Sequence, residues 1–163
     1  MKLLSYRARP WLRFPQRSTL AVWRPSPRYC KLWPHRCLPE HDFSLWLGPG
    51  IQVSLPAEDA NWAEGVLGSC NLAVLPHPYG ASLWDEFWQS IHEGKERSSR
   101  LYEQMARYHL SGYPESGPLY DTSLILRRNN QRNQEFSREW WQETERSSLC
   151  ENLSFHWVCH KMK

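Results

Sequence analysis

Hydrophobic residues recur along this chain with two different periods, and each period predicts a kind of element. From Leu119 to Arg128 (LYDTSLILRR) aliphatic and β-branched side chains follow one another between Pro114 and Gly117 on one side and Asn129-Asn130 on the other. That pattern predicts a buried strand in the middle of a sheet. In the next stretch Phe136, Trp140 and Thr144 recur at a four-residue step beside Trp141, which predicts a helix with its aromatic face on that sheet. Asp121 at one end of the strand and the Glu151-Asn152 pair beyond the helix are then expected to meet at one edge, the candidate site.

The remaining elements are shorter. Asp42 to Leu47 (DFSLWL) reads as a strand, closed by Gly48-Pro49-Gly50 and followed by a second short strand, Ile51 to Leu55, as in a hairpin. Asn71 to Leu75 is a third, buried strand, stopped by Pro76-His77-Pro78. Helices are expected from Arg28 to His35, closed by Pro34, and from Asp59 to Leu67. Another starts at Ser82, with Asp85 three residues on as in a capping box, and carries Leu83, Trp84, Phe87, Trp88 and Ile91 on one apolar face up to Gly94. The next carries Leu101, Met105 and Tyr108 and stops at Gly112 and Pro114. Strands alternating with helices predict an α/β domain with a mixed sheet. Residues 1–27 scatter prolines, arginines and isolated aromatics without either period. They are expected to be a poorly ordered head on a domain spanning 28–163.

At 163 residues the chain suffices for one domain with a core, although its 12 prolines and a mean hydropathy of −0.70 predict much loop. Its ten tryptophans suit either core packing or the lining of a carbohydrate or nucleotide pocket. Charge is unevenly placed. Nine of the 20 basic residues precede Cys37 and the first acid is Glu40, which leaves eleven basic residues against 17 acidic ones, a formal −6, in the rest. Such a head suits a phosphate-contacting arm, a transit peptide or a segment outside the fold. No apolar run is long enough for a membrane span or a secretory signal, so a cytoplasmic location is expected. The five cysteines are odd in number and have no C-x-x-C spacing, so neither a disulfide framework nor a metal site is expected, and His156, Cys159 and His160 lack a second ligand pair.

From Arg28 onward the order of pieces resembles a glycosyltransferase-like family that includes plant turgor- and mucilage-related hexosyltransferases and bacterial relatives once grouped as a domain of unknown function. The residues that carry the resemblance are Arg28-Tyr29-Cys30-Lys31, Pro34-His35-Arg36, DFSLWL from Asp42, His77-Pro78, Glu86, QMARY from Gln104, GYP from Gly112, LYDTSLILRRNN from Leu119, Trp140-Trp141 and ENLSF from Glu151. The resemblance implies a GT-A-like, Rossmann-type mixed sheet flanked by helices, and transfer of a hexose from a nucleotide-sugar donor to a glycan or other hydroxyl acceptor. It also implies a divalent cation, Mn or Mg, that neutralises the leaving diphosphate.

The chain departs from the family pattern in three places. An acid is expected after the DFSLWL strand, where Gly48 stands; the family's first strand and helix have no recognisable counterpart in the head; and the pattern R-D-Q-x-S-F appears as Cys150 to Phe155 without its arginine. Activity is therefore expected to be weak or lost, in a chain that reads as truncated at its N-terminus, with further sequence expected beyond Lys163. Glu151 is the candidate catalytic carboxylate, either as base or as donor-positioning group, and Ser148 to Glu151 also reads as a capping box. His77, Asp121, Arg127 and Asn152 are the candidate substrate-binding residues. His77 and Arg127 would contact phosphate, and of Arg127 and Arg128, on alternate faces of one strand, the second is expected to pair with an acid on a neighbouring helix. Two other functions compete: a non-catalytic carbohydrate-binding or scaffold relative, and, disfavoured by the acidic body, nucleic-acid binding through the basic head.

Overall fold

The computed structural model describes residues 11–12, 20–23, 28–53, 61–77 and 82–163. Its elements run in the order β1 (Trp11–Leu12), β2 (Leu20–Trp23), α1 (Arg28–Leu32), α2 (Pro34–Cys37), β3 (Phe43–Leu47), α3 (Trp62–Leu67), β4 (Leu72–Pro76), α4 (Leu83–His92), α5 (Ser98–Leu110), β5 (Tyr120–Arg128), α6 (Gln131–Arg146) and α7 (Glu151–Lys161). The chain is mixed α/β. It divides into two compact units, one of residues 1–75 with 123–135 and the other of residues 76–122 with 136–163.

The first unit is built on a five-stranded sheet in the order β1-β2-β3-β5-β4. Strands β1 and β2 pair antiparallel, β2 and β3 parallel, and β3 and β5 antiparallel, with Leu45 opposite Leu126 and Leu47 opposite Leu124. Side chains alternate across a sheet, so Phe43, Leu45, Leu47, Leu124 and Leu126 share one face, where they pack with Ala63 and Leu67 of α3. Arg128 shares that face and forms the expected ion pair, donating to both carboxylate oxygens of Glu64 on α3. Ser44, Trp46, Ile125 and Arg127 lie on the other face. There the Arg127 guanidinium donates to the Lys31 carbonyl at 2.7 Å and the Lys31 ammonium sits 5.9 Å from the Trp46 ring centroid.

Five expectations are corrected in this unit. Strands β1 and β2 fall within the stretch read as having no regular structure, and the rest of the head lies outside the described residues. Short runs such as Leu20–Trp23 have no period of their own, and it is the parallel register against Phe43 to Trp46 that makes a strand of them. Residues 51–53 form no strand, and 54–55 lie outside the described residues. Both edges of β3 are already taken, by β2 and β5, so a hairpin partner has no place. Strand β4 is an edge strand with Leu75 39% exposed, where a buried one was expected. Finally, Pro34 opens α2 where it was expected to close a helix, because a missing N–H costs nothing in the first turn, and Cys30 and Cys37 form a disulfide across α1 and α2, with Cα atoms 5.8 Å apart.

The second unit is helical around the first residues of β5. Leu83 and Phe87 of α4, Leu101, Met105 and Tyr108 of α5, Leu119, Cys150 and Leu153 form its core. The expected capping box opens α4, with the Ser82 amide donating to Asp85 at 2.8 Å. The buried stripe of α4 is Leu83, Glu86, Phe87 and Ser90, however, and Trp88 is 55% exposed. The aromatic face of α6 is covered by α7: Phe136, Trp140 and Phe155 meet edge-to-face with centroids 5.1 to 5.9 Å apart. The Trp140 indole donates to the Glu151 carbonyl at 3.1 Å and the Ser154 hydroxyl at 3.2 Å, satisfying its buried N–H. The expected Ser148 to Glu151 capping box does not form as read. Cys150 occupies the N-cap, and the Ser148 hydroxyl donates to Gln104 and accepts from the Cys150 amide.

Candidate functional site

Glu86 lies in the first turn of α4, on the buried stripe, with 2% of its surface exposed. A carboxylate removed from water needs partners, and three segments of the second unit supply them. His77, in the turn after β4, is held by its own amide, which donates to the Leu119 carbonyl at 2.9 Å; its Nε2 lies 3.4 Å from Glu86 Oε2. Lys95, just beyond α4, places its ammonium 3.9 Å from Glu86 Oε1 and 2.8 Å from Glu93. Asn152, in the first turn of α7, donates from Nδ2 to Glu86 Oε1 at 3.3 Å. Burial pushes the Glu86 carboxyl above the ordinary carboxylate value, and Lys95, Asn152 and His77 offset only part of that rise. At Lys95 partial burial opposes the charge, but Glu93 and Glu86 outweigh it and hold the pKa above its usual value. With its side chain 41% exposed, Lys95 is the solvent side of the cluster.

Behind Glu86 a second layer fixes α7 to β5. The Thr122 hydroxyl donates to Asn152 Oδ1, and the Tyr120 amide donates to His156 Nε2 at 2.7 Å. Since Nε2 accepts, the proton of a neutral His156 is on Nδ1, which donates to the Asn152 carbonyl at 2.6 Å. Burial lowers the His156 pKa, with a smaller contribution from His77, and the Tyr120 ring stacks on the imidazole at 5.7 Å. His156 is thus a neutral clamp between two backbones.

Of the residues picked from the sequence, His77 and Asn152 are brought together through Glu86. Glu151 opens α7 beside Asn152, half-buried. Tyr120 and Thr122 are the β5 residues that reach α7, so alternation turns Asp121 to the opposite face; the strand and helix do meet, through the neighbours of the residue singled out. Arg127 lies in the other unit, 1% exposed, with burial lowering its pKa to about 9. Its Nε has no hydrogen-bond partner, and the bond to Lys31 ties it to the end of α1. Glu86 and Lys95 were not picked as site residues. A signal for Glu86 was present: it is the acid at the i+3 position from Leu83 and beside Phe87, on the face of α4 that its own neighbours bury.

Among the described residues no three His, Cys, Asp or Glu side chains come together to hold a metal ion. In the Glu86 cluster the ammonium of Lys95 takes the place a second anionic ligand would need. This cluster therefore does not fit the divalent cation implied by the resemblance. At Gly48 a Cβ would meet the Ser123 carbonyl oxygen at 3.2 Å and the Ser123 Cα at 3.3 Å, so backbone already crowds the position where the acid was expected.

Compared with known protein families, residues 23–163 match the model described as TOD1/MUCI70, glycosyltransferase-like domain. No curated protein and no solved structure matches the chain.

Proposed function

The chain belongs to the TOD1/MUCI70 glycosyltransferase-like family, and on that premise we propose that it transfers a hexose from a nucleotide sugar to a hydroxyl acceptor, with Glu86 as the general base. The observation that carries this proposal is a buried carboxyl with a raised pKa, held by an amide, an imidazole and an ammonium. Perturbed carboxyls of this kind cluster at functional sites, and a base works best with its pKa near the working pH. In the proposed step Glu86 accepts the acceptor's hydroxyl proton while that oxygen bonds to the anomeric carbon. The bond from that carbon to the diphosphate oxygen breaks, and the nucleoside diphosphate leaves with the electron pair. Lys95 supplies the positive charge that faces the leaving group. Glu151, adjacent to Asn152, is proposed to position the donor.

The test is donor turnover by the natural chain and by Glu86→Gln against a panel of nucleoside-diphosphate hexoses, read by mass spectrometry with thermal melts as a folding control. The expected loss is about a hundredfold or more, with a melting temperature no lower than that of the natural chain. Equal turnover by the two proteins removes Glu86 from the mechanism. A second reading, a carbohydrate-binding relative without catalysis, is favoured by the crowded backbone at Gly48, and donor binding without turnover in the natural chain would select it.

The Cys30–Cys37 crosslink supports an oxidising compartment rather than the cytoplasm expected from the sequence, since cytosolic thiols are kept reduced. Among the described residues no helix is long and apolar enough to cross a membrane. The nucleic-acid alternative rests on the basic head, most of which lies outside the described residues.

A further inference from the structure

Asn152 is a partner of Glu86 whose polarity is not fixed by its own chemistry. An amide side chain offers a donor on one side and an acceptor on the other, and rotation by half a turn exchanges them. Towards Glu86 it presents Nδ2, at 3.3 Å from Oε1; towards β5 it presents Oδ1, which accepts from the Thr122 hydroxyl. Thr122 is 1% exposed, and its hydroxyl donates to that oxygen. The peptide carrying Asn152 is itself pinned, its carbonyl bonded to His156 Nδ1 at 2.6 Å and His156 in turn to the Tyr120 amide.

We infer that Thr122 is a positioning residue for the proposed reaction: by occupying Asn152 Oδ1 it forces Nδ2 towards Glu86 and so holds Glu86 in its proton-accepting form. This inference rests on Glu86 being the base. A donor aimed at a carboxyl favours the ionised form, whereas an amide turned to present Oδ1 favours the protonated acid, which has an O–H to give. The other groups facing Glu86 are His77 from the turn after β4, Lys95 and Glu93 from the segment after α4, and the Cys150 thiol before α7. The Thr122 hydroxyl bonds to Asn152 and Asn152 to Glu86, so a change at Thr122 is passed to Glu86 through Asn152.

The experiment is a carboxyl carbon-13 NMR titration of Glu86 in the full chain, with the resonance assigned by its loss in Glu86→Gln. Thr122→Val, which keeps the shape and removes the hydroxyl, is expected to raise the Glu86 pKa by about one pH unit. Thr122→Ser, which keeps the hydroxyl, is expected to leave it in place. In an Asn152→Leu background, where no amide remains to be oriented, Thr122→Val is expected to add nothing. An unchanged pKa in Thr122→Val overturns the inference, as does a shift of the same size in Thr122→Ser or in the Asn152→Leu background, either of which marks a general loosening of the unit. The readout does not depend on turnover. If the predicted NMR pattern appears in a chain that transfers no sugar, the enzyme reading fails and what stands is the orienting of Asn152 by Thr122, without a catalytic purpose.

Discussion

A carboxyl on the buried stripe of a helix leaves a signature in the dependence of stability on pH. Burial raises the Glu86 pKa above its ordinary value of 4.5, so the native state binds this proton more tightly than the unfolded chain does. For a raised pKa the stabilising contribution is complete below the unfolded value and is lost as pH rises through the folded one. Glu86→Gln removes that loss. Its melting temperature relative to the natural chain is therefore expected to climb as pH rises above about 4.5; a difference that is flat between acid and neutral pH would show that Glu86 is not held in the way described. At Gly48 the relevant quantity is space. With a Cβ 3.2 Å from the Ser123 carbonyl oxygen, which also accepts the Gly48 amide at 2.6 Å, Gly48→Asp is expected to cost about 1 to 3 kcal/mol in urea denaturation. An unchanged midpoint would mean that the two strands separate easily at this point. Glu86 was legible in the sequence as an acid among apolar neighbours, but the tryptophans Trp84 and Trp88 drew a competing apolar face. Amphipathic patterns do not say which side a neighbour will cover.

Elements show where local chemistry prevailed and where neighbours decided. The Ser82 and Asp85 box, the aromatic step of α6 and the stripe of α5 depend on residues three or four apart, and each forms where the spacing put it. The hairpin expected after Gly50 fails because β2 and β5 occupy both edges of β3. The pairing of Cys30 with Cys37 was not expected because two short helices bring together cysteines seven residues apart in sequence. In protein purified without reductant and then denatured, alkylation is expected to label Cys70, Cys150 and Cys159 and to spare Cys30 and Cys37. Losing the crosslink is expected to cost about 2 kcal/mol. Labelling of all five thiols would refute the bond.

At the scale of the whole molecule, two buried acids of the second unit pull the pH profile in opposite directions. Burial pushes the Glu143 pKa up, but the Arg107 ion pair at 2.5 Å and the Ser147 and Tyr108 hydroxyls outweigh it and leave it lowered. A lowered pKa contributes stability present above the unfolded value and lost as pH falls through the folded one, the reverse of Glu86. Glu143→Gln is therefore expected to be less stable than the natural chain at neutral pH and to close that gap as the solution is acidified. Parallel melting curves across the acid range would assign the network no electrostatic part. Hydrogen exchange offers a further check: the slowest amides are expected in two separate sets, along β3 and β5 of the first unit and along α5 and α7 of the second.

By itself the sequence determined the mixed α/β class, the strand from Leu119, the helices that follow it, the pairing of Arg128 with an acid, and the family. Each of these is written in residues close together in the chain or in the order of short motifs along it. Only the tertiary structure decided the strand order, the edge position of β4, the Cys30–Cys37 bond and the company of Glu86. His77, Glu86, Lys95, Thr122 and Asn152 span 76 positions of sequence, and no local period connects them. What joins them is the need of one buried carboxyl for partners, which acts through space and leaves no spacing to be read.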